Sequence, residues 1–467
     1  MNFKTHILKL LLVLIPLMAF GQDRITGTFH SLAGQEIKLI GYSGFDTYTI
    51  DSTQVNNEGT FSLEFYEVDY GMGFLISEDE KSLVIVLAPN ENLHLEGELL
   101  DVPSAINIQG AQNLLFDRYA SEHARREQAL KAWDYLAKKY AKDSLFIGRK
   151  HPIRAIEKET KRIKKEDVVF LESLGEDSFL NWYLTTRKLI SSTAIIAQFR
   201  PEEAPDAIKA FRAMDYAKPA LYKSGLLKQS LESHFWLLEN SGSSLESVYE
   251  KIYVSIDSVI ESLTSDKEKF NEIAEFLLNM FEKRSLVDAS EYLALKILEE
   301  HADKITGNFL NRLEGYRAMK IGSTAPNFEF LGDVLLPKSF STPSPNKLSD
   351  ISTDYTVVVF GSGWCPACPQ ELIQIASFYP NWKKNGVEVV FVSLDEDENM
   401  FKKFAKPFPF ISISDYQKWE SPMVKDYHVY ATPTMFLLDR NKKIILKPTS
   451  VIQLNTWIDW YLVQGRK

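Results

Sequence analysis

The stretch FGSGWCPACPQE, residues 360–371, contains both cysteines of this 467-residue chain. Cys365 and Cys368 stand three residues apart, directly after the apolar and β-branched run 356–360, which is typical of a buried strand. Apolar residues at helical spacing follow the pair, so we expect the cysteines at the start of a helix. The backbone N–H groups that have no helical partner there, together with the helix dipole, favour an anion such as a thiolate.

Three kinds of role are open to such a pair: part of a metal site, a structural staple or a redox-active dithiol. A zinc site needs two further ligands, but the chain has no third cysteine and its histidines, such as His428, are scattered singly. As a staple, a disulfide that closes so small a loop adds little stability to a chain of this length. The pair is therefore predicted to be redox-active, with no metal and no cofactor.

The position of each cysteine predicts its role in the exchange of disulfides. Cys365 is preceded by a loop and is therefore expected to be exposed. Because the thiolate is the species that attacks a disulfide, an exposed Cys365 is expected to be the nucleophile. Cys368 is expected to lie one turn inside the helix, shielded, where it would resolve the mixed disulfide. Pro366 suits an early helical position, because its missing N–H would have no partner there.

The surrounding pattern predicts an α/β unit. Residues 387–394 form a second apolar run that is typical of a buried strand. Residues 434–438 and 443–446 flank a polar turn and indicate a β-hairpin. An amphipathic helix is expected at 453–462. The resulting order is strand, helix, strand, helix, hairpin and helix.

Length and charge limit the possible architectures and partners. A chain of 467 residues is expected to form two or three domains, because single cores rarely grow beyond about 250–300 residues. The apolar fraction of 45% is ordinary for a soluble globular protein, which argues against wholesale disorder. The formal net charge of −10 argues against nucleic acid as a partner.

Residues 1–21 are predicted to be a signal peptide. Two lysines precede an apolar run, residues 10–20, and small residues suitable for cleavage follow. The run is shorter than the roughly 20 apolar residues that span a bilayer, so no stable membrane anchor is predicted. An uncleaved anchor is the alternative. The mature protein is expected to be exported and to begin near Gln22.

Two further regions precede the cysteine-containing region. Residues 22–110 are predicted to be a β-rich domain, because Phe61, Leu63 and Phe65 alternate with polar residues. Residues 111–320 are predicted to be α-helical. The clearest series at helical spacing consists of Leu245, Val248, Ile252, Ile256, Val259 and Leu263.

Two local patterns in the helical region carry structural predictions of their own. Residues 265–268, Ser-Asp-Lys-Glu, form a capping-box pattern and predict the start of a helix. The stretch 158–167 mixes both signs of charge and is interpreted as a solvated helix face.

Four motifs give the region 321–467 a family resemblance: GSTAPNF (322–328), WCPAC (364–368), VSLD (392–395) and TPT (432–434). In this order they resemble the thioredoxin-fold domain of TlpA-like proteins, a class of exported, membrane-linked or periplasmic thiol–disulfide oxidoreductases. The β-rich region resembles a small domain of uncharacterised function that is often joined to such domains. The resemblance implies a C-terminal α/β thioredoxin fold, and together with the β-rich and helical patterns it predicts a multidomain chain with an N-terminal all-β domain and a middle α-helical region.

The resemblance also implies further site residues. Pro433 is implied to be a cis-proline that faces the cysteine pair, with an ordinary trans turn as the alternative. The backbone of Thr432 would then pair with an extended substrate, and Trp364 would contact substrate at the rim. Glu371 matches a glutamate that some members use near the resolving thiol, where it could relay a proton from Cys368. The alternative is a first-turn acid that complements the helix dipole.

The sequence departs from the thioredoxin pattern at three positions. Val359 stands where cytosolic thioredoxins carry a buried aspartate, so Glu371 would have to replace that proton acceptor. Gly361 stands where an aromatic residue is common and is expected to open the groove. Pro369 removes a helical donor, at a modest cost so near the start of a helix.

The leading hypothesis is an exported, periplasmic thiol–disulfide oxidoreductase that reduces protein disulfides through Cys365 and Cys368. Its partners would be protein thiols or disulfides and a membrane-linked electron donor. Two alternatives remain open: a disulfide oxidase or isomerase, and a protein-binding or assembly factor that uses the thioredoxin fold as a docking module. A peroxidase would need a lone peroxidatic cysteine in a Thr-containing loop, which the Trp-Cys-x-x-Cys context does not supply. The reducing direction is implied by the family alone.

Overall fold

The protein is described by a computed structural model over residues 23–242, 244–305, 307–337 and 344–464. The predicted signal peptide, residues 1–21, lies outside the described residues. The chain divides into two compact units, Met1–Val248 and Tyr249–Lys467. Among the residues described, no helix is both long and apolar enough to cross a bilayer.

The first unit begins with a β-sandwich, which confirms the predicted all-β region. Its two four-stranded sheets have the orders β4-β1-β7-β8 and β3-β2-β5-β6. Phe61, Leu63 and Phe65 alternate inward from β4 into the core between the sheets, as the sequence pattern predicts. The strands are β1 Asp23–Phe29, β2 Glu36–Ser43, β3 Asp46–Gln54, β4 Thr60–Phe65, β5 Gly71–Ser77, β6 Ser82–Leu87, β7 Leu93–Gly97 and β8 Asn107–Gln109.

The remainder of the first unit is helical, as predicted. The two longest helices, α1 and α2, follow one another and are joined by a short loop. The division between the units falls inside α7. The helices are α1 Ala111–Lys142, α2 Lys150–Glu172, α3 Phe179–Phe199, α4 Ala204–Arg212, α5 Pro219–Tyr222, α6 Leu227–Glu239 and α7 Leu245–Ser262.

The interpretation of residues 158–167 as a solvated helix face is wrong at Asp167, whose side chain is buried. His123 Nδ1 of α1 lies 3.0 Å from its Oδ1, and Lys188 of α3 pairs with its Oδ2. Burial alone would raise the pKa of Asp167, but hydrogen bonds from His123 and Lys188 lower it to about 2. The carboxylate is therefore a charged centre that links three helices.

The second unit combines further helices with a mixed sheet. A helix does begin at the predicted capping box, but Asp266 rather than Ser265 is the N-cap, and its carboxylate accepts a hydrogen bond from the Lys269 N–H at 3.2 Å. The helices are α8 Lys267–Lys283, α9 Val287–Glu300, α10 Asn308–Ala318, α11 Cys368–Lys384, α12 Glu398–Ala405, α13 Pro422–Asp426 and α14 Val451–Ile458. A boundary at 320/321 remains a prediction, because α8–α10 belong to the same compact unit as the sheet.

The sheet of the second unit has six strands in the order β14-β13-β10-β11-β12-β9. Val357 and Val359 of β10 face one apolar core and Val358 and Phe360 face the other, so the sheet is buried on both faces. The predicted strands and hairpin are confirmed as β10, β11, β13 and β14. The strands are β9 Asp333–Leu335, β10 Tyr355–Gly361, β11 Val387–Ser393, β12 Ile411–Ser414, β13 Thr434–Asp439 and β14 Ile444–Leu446.

Candidate active site

The cysteine pair lies where β10 ends and α11 begins. Cys365 and Cys368 form a disulfide, with their Cα atoms 5.4 Å apart. The helix starts at Cys368 itself, so Cys365 lies in the preceding loop and the expectation that Cys368 is one turn inside is wrong. The Cys368 N–H, which has no partner within the helix, donates to Cys365 Sγ at 3.3 Å. In the reduced protein the same N–H would favour a thiolate on Cys365.

The two cysteines differ little in exposure. Cys365 is only 4% exposed and Cys368 is fully buried, so the expectation of an exposed Cys365 is also wrong. The reason is the neighbouring loop, because the Thr432 carbonyl oxygen lies 3.3 Å from Cys365 Sγ. The Thr432 carbonyl thus covers Cys365 on the side of this loop.

The loop that covers Cys365 contains a cis peptide bond between Thr432 and Pro433, the isomer that the resemblance implies. The position of the loop follows from strand pairing. Because β13 runs antiparallel to β10, its first residue, Thr434, pairs with Phe360 at the end of β10. The residues before β13 are thereby brought to the edge of the sheet at which the cysteines lie.

An aromatic rim borders the site. Trp364 is 42% exposed, and its indole N–H donates to the Leu394 carbonyl at 3.3 Å. The ring of Trp419 meets it edge to face at 6.2 Å, and Lys418 Nζ lies 5.3 Å from the Trp364 ring centroid. The rim thus offers apolar surface beside the cysteine loop, while Lys418 also pairs with Glu396 at 3.0 Å.

A buried carboxylate that the sequence reasoning did not single out supports the cysteine loop. Both oxygens of Asp395 accept a hydrogen bond from the Gly363 N–H, at 3.0 and 3.2 Å, and Oδ2 also accepts one from the Ser393 hydroxyl at 2.7 Å. Parallel pairing of β10 with β11 brings these residues together. The sequence did contain a signal for Asp395, which is a polar residue directly after a buried strand and lies within the motif 392–395.

Glu371 lies in the first turn of α11 and contacts another helix. Its Oε2 accepts a hydrogen bond from the Val451 N–H at 2.8 Å, at the first residue of α14. The carboxylate therefore caps α14, where a negative charge complements the helix dipole. This capping contact is one that the sequence reasoning missed.

The structure shows the surroundings of two residues that depart from the thioredoxin pattern, Val359 and Gly361. Val359 is fully buried in the same core as both cysteines, so that core holds no carboxylate at position 359. A Cβ atom at Gly361 would lie 3.3 Å from Cys368 Sγ, whereas the expected opening of a groove stays a prediction. The glycine allows β10 to pass close to the buried sulfur.

Helix α10 packs against the segment that leads to Pro433. The His428 ring covers Gly315 so closely that a Cβ atom at position 315 would overlap the imidazole. The rings of Tyr316 and Tyr430 lie 6.1 Å apart, and the Tyr316 hydroxyl donates to Glu282 Oε1 at 2.7 Å. Burial lowers the pKa of His428. Helices α8 and α10 therefore support the residues immediately before the cis bond.

Comparison with known proteins identifies the family of this chain. A family model described as the AhpC/TSA family matches residues 321–447. The thiol-disulfide oxidoreductase ResA of Geobacillus kaustophilus is 32% identical over 129 residues, which are 27% of this chain and 68% of that protein. The chain belongs to the ResA-like thiol–disulfide oxidoreductases. It is therefore an enzyme of this class, with a thioredoxin fold in its C-terminal region.

One further relative and one solved structure are also similar to this chain. The sporulation thiol-disulfide oxidoreductase A of Bacillus subtilis is 30% identical over 114 residues, 22% of this chain and 66% of that protein. The crystal structure of a thioredoxin-like protein from Bacteroides caccae is 19% identical and covers 56% of this chain and 93% of its own, with a TM-score of 0.36.

Proposed function

We propose that the protein is an exported enzyme that reduces protein disulfides through Cys365 and Cys368. The observation that carries the proposal is the pair of contacts at Cys365 Sγ. The sulfur accepts a hydrogen bond from the Cys368 N–H and lies 3.3 Å from the Thr432 carbonyl. In the reduced protein the first contact would favour a thiolate on Cys365, and the second supports the Thr432 backbone as the proposed binding place of a substrate.

The proposed reaction transfers two electrons from the dithiol to the substrate. The Cys365 thiolate attacks a substrate disulfide, forms a mixed disulfide and releases one substrate thiolate, which takes up a proton. Cys368 then loses its proton and attacks Cys365 Sγ, which releases the second substrate thiol. The products are a reduced substrate and the Cys365–Cys368 disulfide, which a donor must reduce again.

Substrate binding is assigned to Trp364, Thr432 and Pro433. An extended substrate segment would pair with the Thr432 backbone beside Pro433, which would bring its disulfide sulfur to Cys365. The exposed face of Trp364 would contact apolar side chains next to that disulfide.

Glu371 is assigned the proton transfer at Cys368. It lies one helical turn beyond Cys368 on α11, and i, i+3 residues share a helix face. Its hydrogen bond to the Val451 N–H holds the carboxylate in one place, which is compatible with this role and with capping alone.

Export to the periplasm and a membrane-linked electron donor complete the proposal. The signal-peptide pattern of residues 1–21 supports export. An oxidising compartment tends to keep the pair as a disulfide, so a reductant there needs a continuous supply of electrons.

Trapping of covalent complexes tests the assignment of the two cysteines. Cys368→Ser is expected to accumulate mixed disulfides with substrate proteins, because nothing resolves them, whereas Cys365→Ser should trap few and lose activity. Non-reducing electrophoresis and mass spectrometry of both variants would provide the comparison. Equal trapping by both, or by neither in folded protein, would reject the assignment and favour a docking module.

The redox potential of the pair tests the direction of electron flow. A value near about −270 mV, as for thioredoxin, would support a reductant, and one near about −120 mV, as for DsbA, would indicate an oxidase. The oxidation state of the cysteine pair in cells distinguishes the same two directions of electron flow. A reductant should be found mainly as the dithiol, and an oxidase mainly as the disulfide.

A further inference from the structure

The loop that joins α1 to α2 presents three consecutive apolar side chains to solvent. Leu145 is 78% exposed, Ile147 59% and Phe146 38%. Single exposed apolar residues are ordinary on protein surfaces, but a contiguous group is not and indicates an interaction surface. We call residues 143–149 the hairpin tip.

The hairpin tip lies at the far end of two antiparallel helices. Tyr119 packs on Phe170 at 5.3 Å, and four residues later His123 meets Asp167, so the chain runs in opposite directions through α1 and α2. About 20 residues separate these contacts from the tip on either side, which corresponds to about 30 Å of helix.

The tip is an ordered turn. Asp143 organises it: its carboxylate accepts a hydrogen bond from the Leu145 N–H at 3.0 Å, and its carbonyl accepts from the N–H groups of Phe146 and Ile147 at 3.0 and 2.9 Å. The Phe146 ring packs on Tyr140 at 5.2 Å. The exposed positions of Leu145 and Ile147 are therefore part of the folded structure.

Positive charge surrounds the apolar side chains. Residues 139–151 contain four lysines or arginines and one acid, Asp143, a formal charge of +3 in a chain whose total is −10. Lys142, Arg149 and Lys150 are exposed at the two helix ends that flank the tip. An apolar tip flanked by basic residues is complementary to an anionic bilayer, which offers phosphates at its surface and hydrocarbon beneath.

We propose that the hairpin tip binds the surface of an anionic lipid bilayer, with Leu145 and Ile147 among the acyl chains and Lys142, Arg149 and Lys150 at the phosphates. The shape of the tip favours a bilayer over a protein partner. Stable protein interfaces bury about 800 Å² on each side, which three side chains on a convex turn do not supply. A bilayer needs no complementary surface.

Vesicle sedimentation tests the proposal, with the chain from Gln22 onward so that the leader contributes nothing. The wild type is expected to bind vesicles of 30% phosphatidylglycerol in phosphatidylcholine, to bind pure phosphatidylcholine weakly, and to be released by salt. Leu145→Ser with Ile147→Ser should weaken binding at least tenfold. Replacing Lys142, Arg149 and Lys150 by glutamate should weaken it by about fivefold or more per residue.

Two controls separate the tip from general effects. Val68→Ser changes a 70% exposed apolar residue of the β-sandwich and should leave vesicle binding unchanged. All variants should retain the wild-type melting temperature and the wild-type rate on a soluble disulfide, because the tip is not part of the cysteine site. A Trp introduced as Leu145→Trp should show a blue-shifted emission on anionic vesicles.

Three results would overturn the proposal. One is a wild-type chain that does not sediment with anionic vesicles. Another is binding that the Leu145→Ser, Ile147→Ser variant retains in full. The third is an oligomer in solution that this variant dissociates while vesicle binding is absent, which would make the tip an interface between copies of the chain.

Discussion

The loop that contains Cys365 is held in place by a hydrogen bond to a buried carboxylate. The Gly363 N–H, two residues before the cysteine, has the Asp395 carboxylate as its acceptor, and the same carboxylate accepts from the Ser393 hydroxyl. Both donors are positioned by strands whose ends are paired in parallel. Asp395 is therefore a positioning residue for the proposed nucleophile.

Asp395→Ala is expected to lower both stability and activity. The buried Ser393 hydroxyl and the half-buried Gly363 N–H lose their acceptor, and a buried group left unsatisfied costs about 1–3 kcal/mol. We expect kcat/KM for a protein disulfide to fall at least tenfold, and urea unfolding would measure the loss of stability. Asp397→Ala is the matched control, because Asp397 caps α12 through the Met400 N–H and its loss should cost about 1 kcal/mol without affecting activity. Equal losses of activity in both variants would contradict the positioning role.

His234 makes the stability of the first unit sensitive to pH. Its ring is fully buried and stacks on Phe211 at 5.2 Å, and within the described residues neither ring nitrogen has a hydrogen-bond partner. Burial, with a smaller contribution from the charge of Arg212, lowers the pKa of His234 to about 3. Between the ordinary value near 6.5 and about 3, the unfolded chain binds a proton that the folded chain does not.

The free energy of unfolding is therefore expected to fall as the pH decreases from about 6.5 towards 3. His234→Leu should flatten this dependence, because the substituted side chain cannot take up a proton. Urea unfolding at several pH values would measure it, with His151→Leu, at an exposed position of α2, as the control. A His234→Leu variant with the slope of the wild type would show that other groups cause the acid sensitivity.

At the scale of secondary-structure elements, the Glu371 side chain connects two helices of the second unit, α11 and α14. It lies at the start of α11 and accepts a hydrogen bond from the first N–H of α14. Both helices bury their apolar sides, with Leu372 and Leu454 among them, in the core that contains the cysteines. The Glu371 carboxylate therefore caps α14 and is also the group that is proposed to take up the proton of Cys368.

Two substitutions at Glu371 separate the functions. Glu371→Gln keeps an oxygen that can accept from the Val451 N–H but cannot carry a proton, so stability should be retained while resolution by Cys368 slows by about 100-fold. Glu371→Ala should lose both, with about 1 kcal/mol of stability. Stopped-flow measurement of substrate-thiol release against pH provides the test. If Glu371→Gln matches the wild type at every pH, the residue is a cap only.

At the scale of the whole molecule, the helices before residue 320 contribute to the second unit. His428 and Tyr430 pack against α10, and Lys447 forms an ion pair with Glu291 of α9. Every residue assigned to the site nevertheless lies within 321–467. The proposed chemistry thus lies within 321–467, and the helices before it add contacts to the second unit beyond the two cores of the sheet.

A fragment of residues 321–467 is expected to reduce a model disulfide when it is given an electron donor, but to unfold at lower urea than residues 249–467. The longer fragment retains the contacts of α8–α10, including the hydrogen bond from Tyr316 to Glu282. Tyr316→Phe should destabilise it by about 1 kcal/mol and raise KM for a protein disulfide. Tyr292→Phe, which removes a hydrogen bond to Asp257 at 2.9 Å, should destabilise it equally without that change in KM. A folded but inert 321–467 fragment would mean that the helices complete the site.

The sequence alone determined the elements whose signal lies within a short window. The run 356–360 predicts β10, the alternation at Phe61, Leu63 and Phe65 predicts β4, and the polar turn between two apolar runs predicts the β13–β14 hairpin. Two cysteines three residues apart were sufficient to predict a redox pair, because a zinc site needs ligands that the chain lacks and a staple across so small a loop adds little stability. Local periodicity and residue chemistry suffice for predictions of this kind.

The tertiary structure alone decided the contacts between segments that are distant in sequence. Strands β9 and β12, with three and four residues, are too short for a periodic signal and are held by their neighbours in the sheet. The burial of Cys365 depends on Thr432, 67 residues away, and the capping role of Glu371 depends on Val451, 80 residues away. Such contacts arise when parallel and antiparallel strand ends meet at one edge of the sheet, and no local pattern records which distant residue will occupy that edge.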